Sequence, residues 1–369
     1  MKTMKWSYKI ITIFGIPLKM HITFPMLIIA YAALFGYEYG MTAALRGAIL
    51  ISLLFVFVVL HELAHSRQAQ KYGVTVRDVT LLPIGGVSNM ESMPSEPQQE
   101  LKMALAGPLT SLALGFIVLG LDYVAGYKIL DFSFEKIATS WSYIPVYLGW
   151  INIFLAFFNL LPAFPMDGGR VVRAYLAQRM NYARATRVAA SIGKGFAILF
   201  GIAGLLINPF LIFIAFFVYL GASSEEQGAI VGEVLKDLRV KNVMSTQCSS
   251  VPAETTLAQI VESIFHGTCG AVIPVTEHGR YIGVATRDDI LSAIHEHGLG
   301  VQLGKIVKRD ITSVTGEESL NEVYMKMQQN QRNAFAVVDH GELVGVITLE
   351  DLGRAYALKS AILSGKDNF

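Results

Sequence analysis

Cysteine is nearly absent from this chain. Two among 369 residues, Cys248 and Cys269, leave no disulfide framework to hold a fold together. Charge is scarce as well: 16% of the residues are Asp, Glu, Lys or Arg, where a soluble domain carries about 25%. Neither sign prevails, since 30 basic residues face 29 acidic ones, and this balance excludes a dedicated nucleic-acid binder. No glycine period runs through the sequence and 53% of it is hydrophobic, so neither a collagen-like nor a disordered chain fits. No small-residue cleavage site follows the first apolar run, which is therefore not expected to be a cleavable signal peptide. No Walker loop is present, so nucleotide hydrolysis is not expected.

What the chain does contain is unevenly spread. Residues 1–222 hold 17 Lys/Arg and 10 Asp/Glu, a net of +7; residues 223–369 hold 13 and 19, a net of −6. The first part is suited to lipid and the second to water. Apolar runs cover residues 21–36, 47–60, 103–121, 143–164 and 193–221, and a span takes about 20 residues of helix. The last run is interrupted by Asn208-Pro209, which predicts two short spans and six in total, with one long kinked span as the alternative. Lys2, Lys5, Lys9 and Lys19 precede the first span, Arg67, Lys71, Arg77 and Lys102 lie between the second and third, and Arg170, Arg173, Arg179, Arg184, Arg187 and Lys194 between the fourth and fifth. The opposite loops hold only Arg46, then Lys128 and Lys136. This asymmetry predicts a multi-pass protein of the cell membrane with both termini in the cytosol. Both cysteines fall in the second part, in keeping with a reducing compartment.

An ionisable group inside the bilayer costs about 2.5–3.5 kcal/mol on insertion scales and marks a functional site by default. The first 222 residues contain three histidines, His21, His61 and His65. Two belong to His61-Glu62-Leu63-Ala64-His65, an HExxH sequence that completes an uncharged span. Residues four apart share a helix face, so both imidazoles can reach one metal ion while Glu62 serves as general base. A catalytic zinc wants a third protein ligand and one open position. Asp167 is the candidate: it closes a span free of charge from Tyr143 onward, after Pro162 and Pro165, and Gly168-Gly169 behind it permits a tight turn. The alternative for Asp167 is a helix-end carboxylate at the interface. His21 is a weaker candidate, better placed at the interface below the first span.

HELAH in one span and NLLPAFPMDGGR in a later one resemble the site-2 protease family of intramembrane zinc metalloproteases, over roughly residues 10–225. The resemblance implies one Zn2+ held by His61, His65 and Asp167, with Glu62 activating water. It implies that Asn159 stabilises an oxyanion; a helix–helix hydrogen bond is the alternative. It also implies a membrane-embedded hairpin around Leu81–Asn89, with Gly85 and Gly86 in position to pair with extended substrate; an ordinary interfacial loop is the alternative. The expected partners are the lipid bilayer and a membrane-protein substrate with a transmembrane segment.

The second part contains a repeat. Gly283-Val-Ala-Thr286-Arg-Asp-Asp289 recurs as Gly345-Val-Ile-Thr348-Leu-Glu-Asp351. Each copy follows two short apolar runs joined at a turn, His278-Gly279 and His340-Gly341, and each precedes a helical pattern. The unit reads strand, helix, strand, strand, helix, twice. This resembles a tandem pair of CBS domains, which gives an α/β cytosolic half behind a polytopic α-helical membrane half. The expected boundaries are 1–222 for the membrane domain, 223–238 for a linker, 239–300 for the first CBS domain and 301–362 for the second. The resemblance implies adenine nucleotide (ATP, ADP or AMP) at Thr286, Asp289, Thr348 and Asp351 as a regulator, and a homodimer through the CBS domains. The alternative for each Thr-x-x-Asp is a capping box at a helix start. The resulting expectation is a nucleotide-modulated intramembrane metalloendopeptidase, with a CBS-regulated transporter or channel as the alternative.

Overall fold

The structure is a computed structural model that describes residues 6–366 apart from 84, 91, 92, 95, 131–133, 247–249, 266–271, 279, 308–312, 331, 340 and 341. Lys2, Lys5, both cysteines and the turn residues Gly279, His340 and Gly341 therefore lie outside the described residues. The chain divides into two compact units, residues 3–229 and residues 230–369.

The first unit opens with a hairpin that the apolar pattern had not announced. Strands β1 (Ser7–Ile13) and β2 (Ile16–His21) pair antiparallel around Phe14-Gly15, both at positive φ. Helices α1 (Thr23–Tyr39) and α2 (Met41–Lys71) follow, separated at Gly40, whose φ of 88° stops α1. The chain then returns as β3 (Val76–Leu82), parallel to β2, and folds back as β4 (Gly85–Met90), antiparallel to β3. The sheet runs β1-β2-β3-β4, which leaves β4 at its edge. The loop alternative for residues 81–89 thus gives way to a strand pair, in which Leu81 opposes Gly86 and Val79 opposes Ser88. Ile16, Leu18, Val76 and Val79 from the sheet bury against Leu63 of α2 and Met103, so the sheet covers the end of α2 that carries the histidines.

The other helices are α3 (Pro97–Val124), α4 (Phe134–Thr139), α5 (Tyr143–Asn159), α6 (Asp167–Ala177), α7 (Tyr182–Leu206) and α8 (Phe210–Leu235). Four of them, α2, α3, α7 and α8, are long and apolar enough to cross a membrane, and α5 is a shorter apolar helix. Helices α1 and α5, of 17 residues each, lie on the other two expected segments and are shorter than those four. The Asn208-Pro209 interruption separates two helices, with Asn208 Oδ1 accepting from the Phe210 N–H at 3.0 Å. These are not short spans: α7 and α8 have 25 and 26 residues. The reason is that α7 starts well before its apolar run, where the Asn181 side chain caps the N–H of Arg184 at 3.0 Å. Residues 223–235, expected as linker, continue α8.

The second unit repeats one motif. The first copy is β5 (Val251–Pro252), α9 (Leu257–Phe265), β6 (Val272–Glu277), β7 (Arg280–Thr286) and α10 (Arg287–His297). After a short helix α11 (Leu303–Ile306), the second copy is β8 (Ser313–Val314), α12 (Leu320–Asn330), β9 (Ala334–Asp339), β10 (Glu342–Thr348) and α13 (Leu349–Lys366). In each copy the short strand pairs parallel to the middle strand and the last strand antiparallel to it. Each copy has its own core: Leu257, Ile260, Ile273 and Val275 among others in the first, Val314, Leu320, Phe335 and Val337 in the second.

Candidate metal centre

His61, Glu62 and His65 lie on adjacent turns of α2, with both imidazoles on one buried face. Their Nε2 atoms are 3.2 Å apart. Asp167 is the first residue of α6, and its Oδ2 lies 3.2 Å from His61 Nε2 and 3.1 Å from His65 Nε2. Among the described residues this is the group of side chains placed to hold a metal ion. The broken segment Leu160–Met166 between α5 and α6 brings the carboxylate to the histidines. Gly168 and Gly169 do not form the expected turn there. They belong to the first turn of α6, and a methyl on Gly168 would fall 2.2 Å from the Leu161 carbonyl oxygen, so their smallness serves close packing of helix on broken chain.

The outer nitrogens of the imidazoles are held. His65 Nδ1 donates to the Met103 carbonyl at 2.7 Å, which leaves the lone pair of the neutral ring on Nε2. His61 Nδ1 meets Ser111 Oγ at 2.9 Å. Two imidazole lone pairs and a carboxylate oxygen at such separations repel unless a metal ion or a ring proton lies between them. Tetrahedral zinc with bonds of about 2.0–2.1 Å sets its donors about 3.3 Å apart, which this group matches. Hydrogen bonds that fix the far side of each ring are the ordinary support of such ligands.

That support comes from α3, which the sequence reading missed. Met103, Gly107 and Ser111 are four residues apart on one helix face. A methyl on Gly107 would stand 2.1 Å from His65 Nε2 and 2.7 Å from His61 Nε2, so α3 can pass the site only with glycine there. The available signal was the pair Gly107-Pro108 inside an apolar span. Arg173 also needs correction. Read as a loop charge facing the cytosol, it is instead buried, with Nε donating to Glu100 Oε1 and a terminal nitrogen donating to Glu225 Oε2, each at 2.8 Å. Its guanidinium lies over the rings of Phe164 and Tyr182. It thereby ties α6, the helix that begins with Asp167, to α3 and α8.

The remaining expected residues are placed as follows. Glu62 Oε2 accepts from Ser88 Oγ at 2.6 Å. Gly85 and Gly86 begin the edge strand β4. Asn159 ends α5, and its Nδ2 donates to Leu155 O of the same helix at 3.0 Å. His21 stands at the end of β2, its Nδ1 2.7 Å from Thr23 Oγ1, apart from the metal-binding group. In the second unit, Asp289 Oδ2 accepts from Thr286 Oγ1 at 2.7 Å, and Asp351 Oδ2 from Thr348 Oγ1 at 2.6 Å. Each Asp N–H in turn donates to its Thr hydroxyl. Both pairs are capping boxes, at the starts of α10 and α13.

Comparison with known proteins agrees with this site. The model of peptidase family M50 matches residues 49–200, and that of the CBS domain matches residues 240–296 and 303–358. A zinc metalloprotease of Methanocaldococcus jannaschii is 33% identical over 96% of this chain and 97% of its own. The Rip3 protein of Mycobacterium tuberculosis is 28% identical over 82% of this chain and 78% of its own. The solved site-2 protease from Methanocaldococcus jannaschii is 39% identical and covers 60% of this chain and 95% of its own, with a TM-score of 0.45. The chain belongs to peptidase family M50, the site-2 protease family of membrane zinc metalloproteases, and carries a C-terminal pair of CBS domains.

Proposed function

We propose that this protein hydrolyses peptide bonds within or beside transmembrane segments of other membrane proteins, with Glu62 as general base. The observation that carries the reading is the convergence of His61 Nε2, His65 Nε2 and Asp167 Oδ2 beside Glu62, at the end of an apolar helix. His61, His65 and Asp167 would hold Zn2+, which when bound supplies Lewis acidity toward a carbonyl and a water. Glu62 takes a proton from the attacking water and returns it to the leaving amine. A helical substrate hides its carbonyls in hydrogen bonds, so it must be unwound before cleavage. The free edge of β4 supports capture of the unwound segment by strand addition, and Gly85 and Gly86 put no side chain in its way. Asn159 Nδ2 has two hydrogens and gives one to Leu155, which leaves the other for a developing oxyanion.

The CBS pair is proposed as a regulator that takes an adenine nucleotide at Thr286, Asp289, Thr348 and Asp351; the duplication of the Thr-x-x-Asp pattern supports it. AMP, ADP or ATP would then raise the melting temperature of the purified chain, and no shift with any of them would remove the regulator. The Lys/Arg asymmetry supports cytosolic termini, and dimerisation through the CBS pair is part of the same reading.

Zinc per chain and cleavage of single-span membrane proteins in proteoliposomes test the main reading. Wild type is expected to hold about one zinc, the number one catalytic site takes, and Asp167→Ala to lose it. Glu62→Gln is expected to keep zinc and lose cleavage. A well-folded wild type without zinc would remove the hydrolytic mechanism, and a Glu62→Gln variant with unaltered kinetics would remove the general base.

A further inference from the structure

Outside the metal-binding group and its α3 support, Ser88 on the edge strand touches the glutamate read as the base. We propose that Ser88 is a positioning residue for Glu62, itself aimed by Ser66. Ser88 Oγ donates to Glu62 Oε2 at 2.6 Å. Ser66, one turn beyond Glu62 on α2 and fully buried, donates to Ser88 Oγ at 3.2 Å. A hydroxyl has one hydrogen and a free rotor. Because Ser66 supplies the bond that Ser88 accepts, the Ser88 hydrogen is directed at the carboxylate. Oε2 is thereby occupied, and Oε1 is the oxygen left to take a proton.

The strand is built to hold this contact. Gly86 and Ser88 are two residues apart and share a face of β4. A methyl on Gly86 would fall 2.5 Å from Glu62 Cγ, so the glutamate stem lies against the bare strand backbone while its head is held two residues on. The β4 register is fixed from the other side, where Val79 opposes Ser88 and Asn89 Nδ2 donates to Asp78 Oδ1 at 2.6 Å. A substrate strand added to the open edge of β4 would steady the same strand that orients the base. Seating the substrate and aiming Glu62 then become one event. Loss of a group that orients a reacting side chain costs about a hundredfold when the displacement nears 1 Å.

The proposal rests on Glu62 as general base, and the test keeps the two apart. Zinc content, kcat and KM are measured on a labelled single-span membrane protein that wild type cleaves in proteoliposomes. Ser88→Ala is expected to keep zinc and KM and to lower kcat about ten- to a hundredfold. Ser88→Thr, which restores the hydroxyl, is expected to recover most of kcat. Ser66→Ala is expected to lower kcat by a smaller factor, and because Ala is a good helix former it carries the test if Ser88→Ala does not fold. An unchanged kcat in Ser88→Ala, a defect confined to KM, loss of zinc, or a Thr variant as slow as the Ala variant would each overturn the role of Ser88. Full activity in Glu62→Gln would instead overturn the general-base reading, whatever Ser88 does.

Discussion

Gly107 carries a sharp prediction because two ordinary expectations oppose each other there. In a helix interior Ala is better than Gly by about 1 kcal/mol, so Gly107→Ala should favour α3. Yet its methyl would stand 2.1 Å from His65 Nε2, the atom that faces the metal. The expected outcome is a folded protein with unchanged far-ultraviolet helix signal, zinc well below one per chain by elemental analysis, and no cleavage. Normal zinc and cleavage in this variant would show that α3 is not the wall of the site. At this scale the sequence was informative for His61 and His65, because their spacing alone puts them on one face of one helix, with Glu62 next to His61 in the chain. It did not single out Ser66 or Ser88, and for Gly107 it offered only the Gly107-Pro108 pair, because the importance of all three comes from what another element brings against them.

At the scale of elements, two polar clusters hold the site's frame. In the sheet, Asp78 on β3 accepts from Lys19 Nζ of β2 at 2.7 Å, from Asn89 of β4, and from Thr80 at 3.0 Å. Burial alone would push its carboxyl up, but these bonds outweigh burial and hold it below the ordinary aspartate range. The folded state thus binds that proton more weakly than the unfolded chain. The stabilisation is complete above the ordinary aspartate pKa and is lost as pH falls through the folded one. Asp78→Asn is expected to melt below wild type at pH 7, with the gap closing as pH drops below about 4. A gap that stays constant down to pH 3 would rule out this linkage. Between helices, Arg173 neutralises the buried Glu100. Removing one partner of a buried pair costs about 3–5 kcal/mol, because the other charge is left unpaired. Arg173→Ala is therefore expected to destabilise the protein by about that much in denaturant titrations in detergent, and to weaken zinc retention by loosening α6. Glu100→Gln in the Arg173→Ala background should recover part of the loss by removing the orphaned charge. A double variant no more stable than Arg173→Ala would assign the loss to packing of the arginine over Phe164 and Tyr182.

At the scale of the whole molecule, the two units meet different solvents. The helices of the first present large apolar side chains outward, Phe154, Ile198, Leu205 and Phe213 among them, as lipid allows. The second buries its apolar residues in a core of its own for each repeat. That core reaches back beyond residue 239, the expected start of the first CBS domain, for Leu235 at the end of α8 is buried with Val240, Leu320 and Phe335. A fragment of residues 230–369 is expected to be soluble and to melt cooperatively. A fragment starting at Arg239 loses Leu235 and should be less stable by about 2–5 kcal/mol, the usual cost of deleting a buried Leu. Equal melting of the two fragments would restore the later boundary.

The sequence by itself determined the long apolar helices, the duplicated unit and the grouping of His61, His65 and Asp167 with Glu62 beside them. These are written in local patterns: unbroken apolar runs, a repeated strand–helix signature, and ligands four apart on one helix with a carboxylate closing a later span. Tertiary structure alone decided the wall that α3 makes behind the histidines, the burial of Arg173, the pairing of β1 with β2, and the Ser88 hydroxyl that reaches Glu62. Each depends on residues far apart in the chain that no local period relates, as when Asp167 meets His61 across 106 positions or Arg173 meets Glu100 across 73. A local pattern fixes which face a side chain takes on its own element, but packing of whole elements fixes what that face meets.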